Sequence, residues 1–172
     1  MIETGLFVGK FLPPHLGHLW SIKEAAGQCK KLYVLVCDNP ETTVPFCKEA
    51  GWPLIGLDQR VEWVKQQACA LENVTVLGMD ESGIRMLPFD WIKWADRVKQ
   101  TIGERIGAIF GSEASYLEGY KKHFPESQYI LQDPERRHVS IHGTQIRRDL
   151  EGKLSYVMPA AYDYFKGFLK DG

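Results

Sequence analysis

The residues that most constrain this chain lie near its N-terminus, where the pattern predicts a strand, a loop and a helix in succession. Residues 6–8 are apolar and are typical of the end of a short buried strand, which Gly9 interrupts. Pro13 and Pro14 hold the next segment extended, and residues 19–26 have the composition of a helix. We therefore expect the functional polar side chains of this unit to lie in its loop.

Two histidines, His15 and His18, flank Gly17 where the loop becomes helix. At this spacing both imidazoles can project toward the same side of the helix N-terminus, and Gly17 lets a ligand approach the backbone. Free N–H groups at the helix start, two imidazole donors and Lys10 would together bind an anion, of which phosphate is the natural one. The alternatives are two surface histidines, or a metal site, for which no third ligand lies nearby.

A second stretch far along the chain, residues 141–148, favours the phosphate interpretation. With the first stretch it resembles the paired signatures of the nucleotidyltransferase superfamily, in which an H-x-G-H loop and an S-x-T-x-I-R helix start flank a nucleoside triphosphate. The second signature matches at Thr144, Ile146 and Arg147, whereas His142 stands where the family usually has serine. The resemblance implies that the usual serine–phosphate contact is either lost or taken over by an imidazole.

Within the superfamily, the chain most resembles the nicotinamide-nucleotide adenylyltransferase domain of NadR-type proteins, along nearly its whole length. The matched stretches are Gly9–Phe11, Val36–Cys37, Asp58–Arg60 with Trp63, Gly83–Ile84, Trp91 with Trp94, Ser112–Glu113, Asp133–Arg136 and Thr144–Arg147. This resemblance implies a Rossmann-like parallel sheet with helices on both faces. It also implies that ATP and nicotinamide mononucleotide are joined to give NAD and pyrophosphate.

The resemblance also implies roles for individual residues. The catalytic residues would be His15, His18, Lys10 and Arg147. The residues that bind ATP would be Gly9, Lys10, Phe11, His15, Gly17, His18, Ser112, Glu113, Asp133, Arg136, His142, Thr144 and Arg147. The residues that bind the acceptor would be Phe11, Cys37, Arg60, Trp91 and Trp94. No protein-held metal is implied, and Mg²⁺ would enter with ATP.

Several of these residues also have ordinary structural explanations. Trp91 and Trp94 lie three apart on a predicted helix, a spacing that is common in core packing. Ser112 and Glu113 could be a strand-end turn and a helix cap, and Arg60 could be a solvated surface residue. Nothing in the pattern resembles an activated nucleophile with its base, so direct in-line displacement is the simplest chemistry.

Beyond the first unit, short apolar runs alternate with helical patterns. Strands are predicted at 31–37, 74–77, 106–110 and 128–132. Helices are predicted at 58–70 with Asp58 as the cap, from Asp90 through Val98, and at 114–123, 144–151 and 159–169. Residues 41–57, with two prolines and two glycines, and residues 79–88 are predicted to be irregular. The order of elements predicts an α/β fold with a parallel sheet.

Composition limits the class of protein. The 172 residues, 44% hydrophobic and 25% charged, fit a single nucleotidyltransferase domain over 1–172. A net charge of −1 argues against general nucleic-acid binding. Because no apolar run approaches the length of a membrane span and the four cysteines lack a C-x-x-C spacing, we expect a cytoplasmic chain with reduced thiols and no membrane partner. Assembly into a homo-oligomer stays open.

Other functions also fit the sequence. One is adenylyl or cytidylyl transfer to another phosphorylated acceptor, such as phosphopantetheine. The other is a catalytically weak nucleotide sensor, which the departure at His142 would favour. Because no G-x-x-x-x-G-K-[ST] loop occurs, the kinase activity of the bifunctional relatives is not expected from this chain. Since the chain starts directly at the first predicted strand, their DNA-binding activity is not expected either.

Overall fold

The computed structural model describes residues 1–169, which form one five-stranded sheet with helices on both faces. The strands are β1 (Ile2–Gly9), β2 (Cys29–Asp38), β3 (Val74–Asp80), β4 (Ala108–Gly111) and β5 (Gln128–Leu131). Their order across the sheet is β3-β2-β1-β4-β5, and every pairing is parallel. The predicted Rossmann-like fold is therefore confirmed.

Eight α-helices lie within the described part of the chain. They are α1 (Leu16–Ala26), α2 (Pro40–Ala50), α3 (Leu57–Ala68), α4 (Trp91–Ile102), α5 (Leu117–His123), α6 (Gly143–Arg148), α7 (Leu150–Lys153) and α8 (Pro159–Lys166). Helices α1 and α3 cover one face of the sheet, with Ile22 and Val64 fully buried. Helices α4 and α5 cover the other face, where Val98 packs in the second core cluster. Because both faces are covered, β1 and β2 carry nearly continuous apolar runs.

A third apolar cluster joins α2, α6 and α8 beside the sheet around Trp63 and Phe165. This cluster brings the second signature stretch next to the first. The N–H of Met158 donates to the carbonyl of Pro14 at 2.9 Å, and Arg147 in α6 donates to the carbonyl of Leu12, also at 2.9 Å. Two stretches separated by more than a hundred residues are thereby held at one edge of the sheet.

Residues 40–50 form helix α2, so the prediction of an irregular segment from 41 was wrong there. The Asn39 side chain accepts a hydrogen bond from the N–H of Glu41 at 3.1 Å and caps the helix start, and Pro40 occupies its first turn, where no N–H partner is needed. Gly51, with φ of 73°, ends the helix in the left-handed conformation. Pro45 lies inside this helix, contrary to the prediction of an irregular segment there.

Of the two residues predicted to begin helices, Asp90 and Asp58, only Asp90 caps its helix. Asp90 caps α4 as predicted, because its carboxylate accepts from the N–H of Lys93 at 3.1 Å. Asp58 does not cap α3, since the helix begins one residue earlier and its N-cap is Gly56. Within residues 1–169, the structure contains no helix that combines the length and apolar character needed to traverse a bilayer.

Candidate active site

A cavity of about 830 Å³ opens at the carboxyl ends of β1 and β4. These two strands are neighbours at the point where the strand order reverses, which is where open α/β sheets bind ligands. Lys10, His15, His18 and Arg136 form its basic wall, and aromatic side chains form much of the remaining lining, the aromatic wall. The aromatic and acidic lining residues are Phe89, Trp91, Trp94, Tyr116, Tyr120, Tyr129, Glu81, Glu113 and Glu118.

His15 and His18 are tied to each other and to the start of α1. The Nδ1 atom of buried His15 accepts from the N–H groups of Gly17 at 3.1 Å and His18 at 3.3 Å. In return, the N–H of His15 donates to Nδ1 of His18 at 3.1 Å, and the two rings stack with centroids 3.6 Å apart. Because each Nδ1 is an acceptor, each neutral ring carries its proton on Nε2, which leaves two N–H donors for a ligand.

Gly17 is required by the histidines themselves. A Cβ atom at this position would lie 2.9 Å from the ring of His15 and 3.4 Å from Ile141. Gly9 is constrained in a similar way, since a Cβ there would lie 2.9 Å from the ring of Phe11. Both glycines line the cavity, as expected for ATP-binding positions.

Burial keeps both histidines neutral. It lowers the pKa of His15 to about 3, with the positive charges of Arg136 and Arg147 acting in the same direction. Burial also lowers the pKa of His18 well below its usual range, assisted by His15 and Arg136. The pair therefore donates hydrogen bonds at neutral pH without the charge that would repel the arginines.

Arg136 belongs to the basic wall. Its Nη2 donates to Oγ of Ser112 at 3.2 Å and lies 3.7 Å from a carboxylate oxygen of Glu113. Lys10 lines the same cavity and donates to Oγ1 of Thr42 at 3.2 Å. The structure thus brings together the predicted residues Lys10, Ser112, Glu113 and Arg136 with the histidine pair.

The second signature lies behind this wall. Arg147 donates from Nη1 to Leu12 and from Nη2 to Oγ1 of Thr144 at 3.0 Å, and its guanidinium stacks over Phe46 at 4.1 Å. His142 is the N-cap of α6 and is exposed, and burial together with Arg136 lowers its pKa. Gly143 lines the cavity, whereas the three predicted residues His142, Thr144 and Arg147 do not.

Trp91, Trp94 and Cys37, three residues predicted to bind the acceptor, all line the cavity. The half-buried ring of Trp91 stacks parallel to His123, with centroids 5.7 Å apart, and meets Trp94 edge-on. The indole N–H of buried Trp94 donates to Oε2 of Glu81 at 2.6 Å. Trp91 therefore offers a ring to the cavity, whereas Trp94 also belongs to the core.

Arg60, predicted to bind the acceptor, does not reach the cavity. Its side chain is 0% exposed and pairs with the Asp38 carboxylate, and its Nη1 donates to the carbonyls of Lys10 at 2.8 Å and Cys37 at 3.3 Å. Through these contacts, Arg60 connects α3 to the carboxyl ends of β1 and β2. Arg60 lies in the first turn of α3 because its side chain binds these buried acceptors, so no ligand anion is needed to explain its position.

Phe11 and Asp133 also differ from expectation. Phe11 is 1% exposed, and its ring packs against His18 at 4.4 Å, so it supports the imidazole instead of facing a ligand. The Asp133 carboxylate accepts from the N–H groups of Arg137 and His138, both at 2.9 Å. It therefore shapes the turn that presents Arg136.

Glu81 is a cavity residue that the sequence analysis missed. It follows β3 inside a segment predicted to be irregular, is 4% exposed, and has one carboxylate oxygen without a hydrogen-bond partner. The available signal was an acidic residue four positions beyond the strand predicted at 74–77, but its burial depends on the packing of α4. Within residues 1–169, no group of three or more histidine, cysteine or acidic side chains could hold a metal ion.

The histidine pair predicts a pH dependence of stability. An unfolded histidine titrates near 6.5, whereas folded His15 titrates at about 3, so the unfolded state binds protons first as pH falls. The contribution of neutral His15 to the free energy of unfolding is complete above about pH 6.5 and declines between that value and about pH 3. We expect the free energy of unfolding in urea to drop between about pH 7.5 and about pH 5, and the drop to be smaller in His15→Gln. An identical drop in both proteins would contradict this account.

A family model of cytidylyltransferase-like proteins matches residues 6–149, which include both signature stretches and the strands that flank the cavity. The chain belongs to the cytidylyltransferase-like family. This membership confirms the nucleotidyltransferase superfamily, to which the two signatures pointed.

Two curated relatives and one solved structure illustrate the range of proteins that this cytidylyltransferase-like chain resembles. It is 28% identical over 165 residues to the trifunctional NAD biosynthesis/regulator protein NadR of Escherichia coli, covering 94% of the chain and 40% of NadR. It is 25% identical over 147 residues to the phosphopantetheine adenylyltransferase of Tolumonas auensis, covering 86% and 81%. The chain thus spans about two fifths of NadR and most of the second relative.

The solved structure is a bifunctional NMN adenylyltransferase/ADP ribose pyrophosphatase from Francisella tularensis. It superposes with a TM-score of 0.71 at 19% identity, over 98% of this chain and 50% of that one. At this identity the likeness supports the fold, and the acceptor is a separate question.

Proposed function

We propose that this chain transfers the adenylyl group of ATP to nicotinamide mononucleotide. An oxygen of the acceptor 5′-phosphate attacks the α-phosphorus in line, the bond from that phosphorus to the α–β bridging oxygen breaks, and pyrophosphate leaves with its electron pair. The products are NAD and pyrophosphate. The observation that carries the proposal is the stacked histidine pair, whose two free Nε2–H donors sit on a basic wall beside an aromatic one.

The basic wall supports the assignment of ATP to this side of the cavity. His15 and His18 would donate to α- and β-phosphate oxygens, and Arg136 would neutralise charge on the same group. Thr144 and Arg147 lie next to Gly143, which lines the cavity, and would hold the β- and γ-phosphates. Arg147 would use the guanidinium N–H groups that do not donate to Leu12 or Thr144. Such fixed donors stabilise developing charge without reorganisation.

Mg²⁺ fits this arrangement as part of the substrate. Triphosphate oxygens suit this ion, which usually keeps several waters and needs few protein ligands. When bound, it would offset the negative charge of the triphosphate. The positive charge of Lys10 acts to lower the pKa of both Glu81 and Cys37, which shows that the ammonium group lies near them. There it would balance negative charge at the point where the acceptor phosphate contacts ATP.

The aromatic wall supports a flat acceptor ring. A nicotinamide ring is planar and cationic in the mononucleotide, so stacking on Trp91 would gain both dispersion and cation–π attraction. NadR among the relatives favours this acceptor, while the phosphopantetheine adenylyltransferase favours the alternative. Phosphopantetheine has no ring to stack, and the aromatic lining therefore favours the nicotinamide nucleotide.

Gly119 offers a way to move the Trp91 ring without removing it. A Cβ atom there would collide with the indole ring of Trp91, so Gly119→Ala should displace the ring. We expect the KM for nicotinamide mononucleotide to rise about tenfold, roughly the value of one stacking contact, and the KM for ATP to change little. In Gly167→Ala, where a Cβ meets nothing within 4 Å, both should stay at the parental values. Equal KM changes for both substrates in Gly119→Ala would contradict the placement of the acceptor.

Product analysis separates an enzyme from a nucleotide sensor. Chromatography of a reaction with ATP, Mg²⁺ and nicotinamide mononucleotide should show NAD and pyrophosphate in equal amounts. If ATP and NAD bind in equilibrium dialysis but no product forms, the sensor is the correct function. The observation that favours a sensor is His142, which stands at the N-cap of α6 in place of the usual serine.

A further inference from the structure

One buried carboxylate in the cavity has no role in the transfer of the adenylyl group. We propose that Glu81 selects the acceptor by its ring substituent, accepting a hydrogen bond from the carboxamide of nicotinamide mononucleotide and disfavouring the carboxylate of nicotinic acid mononucleotide. This inference rests on the proposed function and assigns Glu81 as a specificity-determining residue.

The backbone around Glu81 is fixed by the ends of two strands. Its N–H donates to the carbonyl of Asp38 at 2.7 Å, and its carbonyl accepts from the N–H of Ile84 at 3.0 Å and from Nδ2 of buried Asn39 at 3.3 Å. The same Nδ2 donates to the carbonyl of Ile84 at 2.9 Å. The side chain therefore starts from a rigid position, as a selective contact requires.

The two carboxylate oxygens of Glu81 have different surroundings. Oε2 accepts from the indole N–H of Trp94 at 2.6 Å, whereas Oε1 is buried without a partner. A buried acceptor without a partner is unfavourable in the free protein, and a ligand that donates an N–H to it removes that penalty. Trp94 lies beside Trp91, so an aromatic ring stacked on Trp91 would carry its substituent into this region.

The charges in this region favour a carboxamide. An amide NH₂ is a donor, and the cationic pyridinium ring that bears it is attracted by a carboxylate. A carboxylate substituent offers only acceptors and would face Glu81 as a like charge in a desolvated place. Burial raises the pKa of Glu81 and the nearby Asp38 carboxylate acts in the same direction, while Lys10, the indole N–H of Trp94 and Arg60 oppose that rise.

The experiment compares kcat/KM for nicotinamide mononucleotide and nicotinic acid mononucleotide in the parent, Glu81→Gln and Glu72→Gln. Glutamine has the same shape and can still accept from Trp94, but it presents a donor where Oε1 lies. We expect the preference for the carboxamide to fall at least about tenfold in Glu81→Gln, as expected for a lost charge-assisted contact. The exposed Glu72, outside the cavity, should leave the preference unchanged.

The outcomes of this comparison are distinct. A parent that uses the nicotinamide nucleotide and a Glu81→Gln variant with an unchanged preference would overturn the inference alone. A parent that makes no dinucleotide from either acceptor would overturn the proposed function, and the inference with it. If Glu81→Gln does not fold, Trp94→Phe removes the N–H that orients the carboxylate, and an unchanged preference there would likewise overturn the inference.

Discussion

Replacing His18 with alanine is expected to lower turnover by about a hundred- to a thousandfold, the usual effect of removing one preorganised donor to developing charge. The ring of His18 is held by the N–H of His15, by stacking on His15 and by the buried Phe11, so its Nε2–H is fixed before ATP arrives. Steady-state pyrophosphate release at saturating ATP and acceptor measures this loss.

Stability is the control for this substitution. Urea unfolding of His18→Ala should show a much smaller loss of free energy than the change in the activation barrier, since the histidine lies at the cavity wall. A variant that turns over within a few-fold of the parent would contradict the assigned role. A variant that fails only because it unfolds would place His18 in the fold instead of the chemistry.

Replacing Arg60 with methionine is expected to lower the free energy of unfolding by about 3 to 5 kcal/mol, the usual loss when one partner of a buried ion pair is removed. Methionine keeps the apolar stem but leaves the Asp38 carboxylate and the carbonyls of Lys10 and Cys37 without their shared donor. Urea denaturation monitored by circular dichroism measures the change.

Arg105 provides the matched control for this prediction. Its side chain is 75% exposed, and its distance to Glu126 is 3.9 Å, so Arg105→Met should change the unfolding free energy by less than about 1 kcal/mol. Comparable losses in the two variants would show that the buried contacts of Arg60 contribute no more than a surface charge. A loss in KM for the acceptor without a loss of stability would restore Arg60 to a binding role.

Features that depend on residues close together in the sequence could be predicted. Apolar runs gave the parallel strands, and the spacing of His15, Gly17 and His18 placed both imidazoles at a helix start. Their neutral state could not be predicted, because it comes from burial and from the approach of Arg136 and Arg147, which lie more than a hundred residues away.

Residues whose role depends on tertiary packing were harder to predict. Arg60 has the charge expected of a phosphate contact, yet packing of α3 on the sheet directs it to backbone carbonyls. Phe11 lies within a signature loop but its ring supports His18. Glu81 belongs to a segment without periodicity, and only the position of Trp94 on α4 shows that one of its oxygens is left unpaired.

Helix α2 shows how a strong local signal can mislead. Pro45, Gly51 and Pro53 in one stretch favour a loop by composition. The structure uses Gly51 to end a helix and places Pro40 at its start, where both residues are favourable. The cap at Asn39, whose side chain also holds the Glu81 loop, is the feature that composition did not reveal.

We propose that this cavity joins ATP to a nicotinamide nucleotide. This proposal is tested by pyrophosphate release from the purified protein with ATP and Mg²⁺, compared among nicotinamide mononucleotide, phosphopantetheine and no acceptor. Release is expected with the nicotinamide nucleotide alone, with NAD as the other product. Release with phosphopantetheine instead, or no release with either acceptor, would contradict it.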